Sequence, residues 1–209
     1  DEAWLDSGRG DTDELRDRLD LPRDKNIILY TGHLYAWKGV DVLVEAARYL
    51  PDAEIHIIGG FPKDVERLKK LIDKKGYENV KLHGHMKRES LPPYMFAADV
   101  LVIPNVPISR ESVEYTAPIK LFEYMGTGVP IALSDLPSLR RFVDENEATF
   151  FEPGNAADLA RGINAALADQ DRARTAASRA KKKAERLYTW RHRAEAILAA
   201  LKSRLDVQN

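Results

Sequence analysis

Lys38 and Glu123 are the residues of this sequence best placed to do chemistry. Lys38 closes the run Thr31-Gly32-His33-Leu34-Tyr35-Ala36-Trp37-Lys38, just ahead of a helical pattern that begins at Val40. An ammonium there can neutralise a diphosphate leaving group, and Gly32 lets the backbone approach a ligand closely. Taken by itself Lys38 reads as a surface lysine; its company makes it a candidate. Glu123 lies about one turn into a short helix that opens within Tyr115-Thr116-Ala117-Pro118-Ile119-Lys120-Leu121 and stops at Gly126-Thr127-Gly128. A helix starting at the edge of a parallel sheet presents free N–H groups and the positive end of its dipole, a ready site for a phosphate. Glu123 is then in reach of a sugar diol. Pro118 suits the first helical position and removes one N–H donor.

Other chemistries find no support in the residue pattern. The Lys38 loop lacks the glycine spacing and the Ser/Thr of a Walker A loop, and no Gly-x-Gly-x-x-Gly follows the first strand. There are no cysteines, so disulfides, thiolate metal sites and cysteine nucleophiles are excluded. Of five histidines, His33 and His85 each follow a glycine near a strand end and are placed to face a cleft, whereas His56 and His83 lie within strands as packed or edge residues. No pair has zinc spacing with a third ligand, and no serine nucleophile elbow is present.

The elements that must position Lys38 and Glu123 alternate as in parallel α/β proteins. Strands are expected at Asn26–Leu34, Glu54–Gly60, Val80–His85, Asp99–Asn105, Val129–Ser134 and Ala148–Phe151. Helices are expected at Thr12–Leu19, Val40–Leu50, Asp64–Gly76, Glu89–Ala98 and Ile119–Met125, then in a helical last third at Ala156–Ala168, Asp171–Leu187 and Trp190–Leu205. Short Ile/Val/Leu runs suit strands buried on both faces. The alternation predicts a Rossmann-like, doubly wound parallel sheet of about six strands with flanking helices and a helical C-terminal segment. Pro104–Pro118 is the longest connection without evident structure, and it leaves the carboxyl end of the fourth strand, where open α/β sheets bind ligands.

Net charge is −1 over 209 residues but uneven. Residues 1–24 carry nine acids against four bases, and residues 171–193 carry nine Lys/Arg against two acids. The basic stretch reads either as a solvated helix face or as a surface attracted to anionic membrane. No apolar run approaches the roughly 18 residues that span a bilayer, and no secretory leader opens the sequence, so a cytoplasmic protein is expected, peripheral at the inner membrane face if the basic stretch binds lipid.

Four segments together resemble the C-terminal, donor-binding domain of glycosyltransferase family 4 enzymes of the GT-B fold. They are Gly32-His33 through Lys38-Gly39-Val40-Asp41, Val80-Lys81-Leu82-His83-Gly84-His85, Ala98-Asp99-Val100-Leu101-Val102-Ile103-Pro104, and Glu123-Tyr124-Met125-Gly126-Thr127-Gly128-Val129-Pro130. The resemblance covers roughly residues 22–200 and implies sugar transfer from a nucleotide sugar with retention of anomeric configuration, with no metal or further cofactor. It implies that Lys38 binds the donor diphosphate, that Glu123 binds the ribose, that the amides of Ile119 and Lys120, flanked by Pro118 and Leu121, hold phosphate, and that the backbone around His85 and Met86 contacts the base. Gly32 and His33 would border the diphosphate. Two positions depart from the family pattern: His33 stands where arginine is usual, and Tyr115 stands where a glutamate contacts the donor sugar. Glu114 or Glu111 could substitute by a loop shift, or Tyr115 could offer its hydroxyl or simply pack.

The implied organisation is an interdomain linker with a short helix over 1–21, a nucleotide-sugar binding domain over 22–187 and a crossing helix over 188–209. The acceptor-binding N-terminal domain of such enzymes is not in this sequence, so the chain alone is expected to bind donor weakly and transfer little sugar. Alternatives are a non-catalytic nucleotide-binding module or partner subunit, or a sugar-nucleotide epimerase or phosphorylase of related fold, the last lacking a pyridoxal lysine context. No nucleic-acid partner is expected.

Overall fold

The structure, a computed structural model, describes residues 2–108, 110–115 and 119–206. Six strands form one all-parallel sheet in the order β3-β2-β1-β4-β5-β6. They are β1 (Asn26–Thr31), β2 (Ala53–Ile58), β3 (Val80–Gly84), β4 (Val100–Ile103), β5 (Ile131–Ser134) and β6 (Thr149–Phe151). All six expected strands are present, each with fewer residues than expected, and β2 starts one residue earlier, at Ala53. The helices are α1 (Glu2–Asp6), α2 (Thr12–Leu19), α3 (Val40–Ala46), α4 (Pro62–Lys75), α5 (Leu91–Ala97), α6 (Ile119–Thr127), α7 (Pro137–Arg140), α8 (Ala156–Ala168), α9 (Gln170–Leu187) and α10 (Trp190–Asp206).

The period of two along β1 divides the core. Ile28 and Tyr30 face one layer with Leu43, Val44, Leu68, Leu159 and Ile163. Ile27 and Leu29 face the other with Met95, Leu121, Tyr124, Leu139 and Ala184. Burying both faces of β1, β2, β4 and β5 is why these strands read as unbroken apolar runs rather than alternating ones. Helix ends follow local chemistry. Asp11 caps α2 by accepting from the Asp13 and Glu14 amides. Gly76 ends α4 at φ +66°, and Pro92 and Pro93 sit in the first turn of α5, where no proline N–H is missed.

Residues 1–21 hold one helix more than expected, and both helices pack on the domain. Trp4 and Leu5 of α1 join the second core layer, and Leu15, Leu21 and Ala97 form a small cluster of their own. The connection after β4 also differs from expectation. It contains a single wide helical turn at Glu111–Tyr115, anchored where the buried Ser112 hydroxyl donates to the Val106 carbonyl at 3.2 Å and Ser138 Oγ donates to the Ser112 carbonyl at 3.1 Å. Five residues with no apolar period gave no signal of it.

Candidate functional site

Chain order reverses between β1 and β4, so the loops leaving these neighbouring strands diverge and open a crevice at their carboxyl ends. Glycines bring the loops together below it. Gly39 has φ +65°, and a Cβ there would lie 1.7 Å from the Pro104 carbonyl oxygen. The Val106 amide donates to the Trp37 carbonyl at 2.9 Å and ties the two loops directly. Gly32, at φ +127°, donates its amide to Ile58 across to β2 at 2.8 Å.

Three charged side chains converge on this place. Lys38 ends a short 3-10 turn (Ala36–Lys38), and its Nζ lies 3.8 Å from the Trp37 ring centroid. Burial lowers its pKa to about 8. Lys120, in the first turn of α6, folds back so that its Nζ lies 3.6 Å over the Tyr30 ring and 3.0 Å from where a Gly32 Cβ would stand. The Lys120 pKa is pushed well down, first by burial and then by the Lys38 charge, with Glu123 opposing. Glu123 is largely covered and pairs with Arg88 of the β3–α5 connection, Nη2 to Oε1 3.3 Å. Among the described residues, the buried side-chain donors left without hydrogen-bond partners are Lys120 Nζ and Asn105 Nδ2, and Asn105 follows β4 by two residues. Both orphans therefore stand at this crevice. Tyr124 braces the floor: its hydroxyl accepts from the Thr31 amide at 2.9 Å, and burial raises its pKa.

The other expected residues fall as follows. Ile119 opens α6 and is 52% exposed, whereas Leu121 is fully buried and anchors the helix. The Ile119 and Lys120 amides belong to that opening turn, whose N–H groups lack intrahelical partners. His85 is exposed just past β3, and Met86 packs partly on the second core layer. The His33 carbonyl accepts from the Tyr30 hydroxyl at 2.6 Å, while its ring stacks on Tyr35 and Phe61, centroids 5.0 and 5.5 Å away. Tyr115 ends the wide turn after β4. Glu114 of that turn pairs with Arg110 at 3.0 Å. Thr116, Ala117 and Pro118 lie outside the described residues.

Sequence reasoning gave Lys120 only a backbone role and missed its side chain, because nothing local to α6 reveals a contact with Tyr30 of β1. His56 and His83, expected to be packed, do pack, and on each other. His56 Nδ1 lies 2.9 Å from His83 Nε2, and its Nε2 lies 3.3 Å from Glu54 Oε2. Burial, then His83, lowers the His56 pKa to about 4. No cluster of three or more His, Asp or Glu able to hold a metal occurs among the described residues. A largely apolar groove of about 540 Å³ runs along α6 toward α9 and α10; it shares Ile119 and Glu123 with the crevice but not Lys38 or Lys120. The charge pattern, not this hollow, identifies the site.

Known proteins resemble the chain in sequence and in fold. The chain is 31% identical over 190 residues to a D-inositol 3-phosphate glycosyltransferase of Xylanimonas cellulosilytica, covering 88% of this chain and 44% of that protein. Against a putative colanic acid biosynthesis glycosyl transferase of Escherichia coli it is 30% identical over 119 residues, covering 56% of this chain and 28% of that protein. This chain thus spans less than half the length of either relative. The fold superposes on sucrose-phosphate synthase of Thermosynechococcus elongatus with TM-score 0.82 at 26% identity, covering 98% of this chain and 51% of that one. HepE of Anabaena, solved with UDP-glucose, also gives 0.82, at 22% identity over 95% of this chain and 55% of that one. The sequence pattern described as glycosyl transferases group 1 matches residues 11–183, from the cap of α2 into α9, and so takes in every strand and the whole β1/β4 crevice. The chain is a member of this GT-B, family-4-like group, and corresponds to its C-terminal domain.

Proposed function

We propose that this chain is the donor-binding half of a glycosyltransferase that transfers a sugar from a nucleotide sugar to an acceptor with retention of configuration. The observation that carries this reading is the charge pattern of the β1/β4 crevice: the Lys38 and Lys120 ammonium groups, whose charge burial disfavours, and Glu123 farther along α6 from Lys120. Cations held in poor solvent gain most from an anion that replaces the lost water. A nucleoside diphosphate matches the layout, its phosphates toward Lys38 and the opening turn of α6 with the Ile119 and Lys120 amides, and its ribose toward Glu123. The base would then meet the backbone at His85 and Met86. As the bond from sugar to diphosphate breaks, negative charge grows on the departing phosphate oxygen and the sugar becomes oxocarbenium-like. Lys38, already in position, stabilises that charge without reorganising solvent. This mechanism calls on no metal. Tyr115 would offer a hydroxyl rather than a carboxylate to the donor sugar.

HepE has been solved with UDP and with UDP-glucose, which makes uridine the first base to test. The acceptor would be held mainly by a second, N-terminal domain, for which the part of the relatives that this chain does not match leaves ample length. On that view residues 1–21 lead in from the other domain and α10 returns toward it. The site of action would be the cytoplasm, with α9 resting on an anionic membrane.

Calorimetric titration with UDP, GDP and ADP, repeated with Lys38→Ala and Glu123→Ala, tests the reading. At least one nucleotide should bind, and each substitution should weaken it about tenfold or more, the worth of a charged hydrogen bond. If neither substitution weakens any nucleotide, the site is wrong. Robust sugar transfer by the 209-residue chain alone would overturn the two-domain part of the proposal. The replacement of a carboxylate by Tyr115 favours a second reading, a module that binds nucleotide without transferring sugar. It predicts that a full-length protein joining this domain to its N-terminal partner binds nucleotide sugar but never consumes it.

A further inference from the structure

We propose that the Lys120 side chain, and not only the backbone at the start of α6, is a ligand of the donor's diphosphate alongside Lys38. The inference rests on the donor reading above and deepens it. An ammonium carries three donors. That of Lys120 is buried and makes no hydrogen bond among the described residues, and it lies 3.6 Å from the centroid of the Tyr30 ring. A ring face attracts a cation but accepts none of its hydrogen bonds in full. Leaving such a group unsatisfied is costly, and proteins seldom retain one without a use for it.

The surroundings say what the use is. The groups bearing on Lys120 are Lys38 from the β1 loop, Tyr30 from β1, and Glu123 from its own helix. Lys38 repels it, and Glu123 is already engaged by Arg88. The ammonium thus feels both the residue assigned to phosphate and the residue assigned to ribose, with a negative charge wanting. Gly32 keeps the space above it open, since any side chain at 32 would begin 3.0 Å from Nζ. Asn105 presents a second unpartnered buried donor at the end of the adjacent strand. His33, the other basic side chain of the β1 loop, is stacked away on Tyr35 and Phe61, which leaves the second cation to Lys120. A diphosphate held by both lysines would favour their charged forms, so binding should take up protons at mildly alkaline pH.

The experiment compares wild type with Lys120→Met, and with Lys120→Gln should the first not fold, using UDP and UMP as probes, or GDP or ADP and the matching monophosphate where those bind better. UDP should bind about 10- to 100-fold more weakly to the variant, and UMP should lose much less. Calorimetry in two buffers of different ionisation enthalpy should show proton uptake at pH 8 that shrinks in the variant. The ligand-free variant should melt at a higher temperature than wild type, because an unpaired buried ammonium has gone. If the variant binds UDP like wild type while Lys38→Ala and Glu123→Ala still weaken it, Lys120 is not a ligand and the donor reading stands. A variant that melts lower and loses UDP and UMP equally assigns Lys120 a purely structural role and overturns the proposal. If wild type binds no nucleotide, the donor reading fails and this inference with it.

Discussion

Arg88 holds Glu123 and is itself held by Trp4: its Nη2 lies 3.3 Å from Glu123 Oε1, its guanidinium rests 4.0 Å over the Trp4 ring, and its carbonyl accepts from Trp4 Nε1 at 2.9 Å. A residue of α1 thus orients, through one arginine, the carboxylate proposed to meet ribose. The pair is half exposed on the arginine side, so its own energy is small, below about 1 kcal/mol. Glu123→Ala should therefore cost far more nucleotide affinity than Arg88→Ala, which should cost about fivefold or less. The Glu123→Ala penalty should vanish with a 2′,3′-dideoxy nucleotide, which has no diol to bind. Equal penalties for ribose and dideoxyribose ligands in calorimetric titrations would take Glu123 off the sugar.

Lys38 gives the protein a pH signature. Its ammonium loses its proton near 10.5 when exposed and near 8 in the folded chain, because burial penalises the charge. Between those values the unfolded chain keeps a proton that the folded chain has released, so stability falls as pH drops through that window and levels off below about 8. Lys38→Met should accordingly raise the melting temperature more at pH 7 than at pH 10.5. Binding runs the other way: a diphosphate prefers the charged lysine, so affinity should fall from pH 7 to pH 9 in wild type. That fall should be blunted in Lys38→Met. Thermal melts and titrations at these pH values check both signs.

The legible parts of this protein are those whose cause is local. Apolar runs mark all six strands, α8 spans Ala156–Ala168 as expected and is capped by Asn155, and Gly76 stops α4 where expected. Family-like spacing brought Gly32, Lys38 and Glu123 forward before their geometry was known. Contacts between distant segments were not legible. α1 has five residues and no cap signal, yet Trp4 reaches Arg88, 84 residues away in sequence. The Lys120 side chain carries no local signal of its place over Tyr30, since only its backbone amide was tied to the phosphate. His33 was read as facing the cleft, and only the fold reveals Phe61, on the β2–α4 connection, as the partner of its ring.

The basic stretch at 171–193 falls mostly on α9, whose buried side is the small-residue row Ala177, Ala180 and Ala184. Lys183 is spent on Glu147 at 2.8 Å, while Arg172, Arg174, Arg179, Lys182 and Arg186 point to solvent. α10 adds exposed Trp190, Ile197, Leu198 and Leu201. None of the described helices is long and apolar enough to cross a membrane, so any lipid contact would be at the surface. Each surface cation is worth about 1 kcal/mol near anionic lipid. The chain should co-sediment with phosphatidylserine vesicles, less with neutral ones, and less again at 0.5 M salt, where screening is about twice as short-ranged as at physiological strength. Binding that ignores both lipid charge and salt would rule out this use of α9.

Arg16 decides whether residues 1–21 are tether or domain. Only 6% exposed, it donates from Nε to the Ala97 carbonyl at 3.1 Å, from Nη1 to the Lys25 carbonyl at 3.3 Å and from Nη2 to Asp99 Oδ2 at 2.7 Å. The same Asp99 oxygen accepts from the Ile27 amide at 2.6 Å, so one guanidinium ties α2 to the end of α5 and to the starts of β1 and β4. Removing Arg16 from this largely buried pair strands Asp99 and two carbonyls, at up to about 3 kcal/mol because Asp99 keeps some solvent and its Ile27 amide. Arg16→Ala should lose about that much in urea unfolding, and deleting residues 1–21 should lose more, since Trp4, Leu5, Leu15 and Leu21 leave their contacts as well. A passive linker would make both changes nearly neutral. A drop in nucleotide affinity on deletion, larger than Arg88→Ala produces alone, would show that α1 supports the donor site through Trp4.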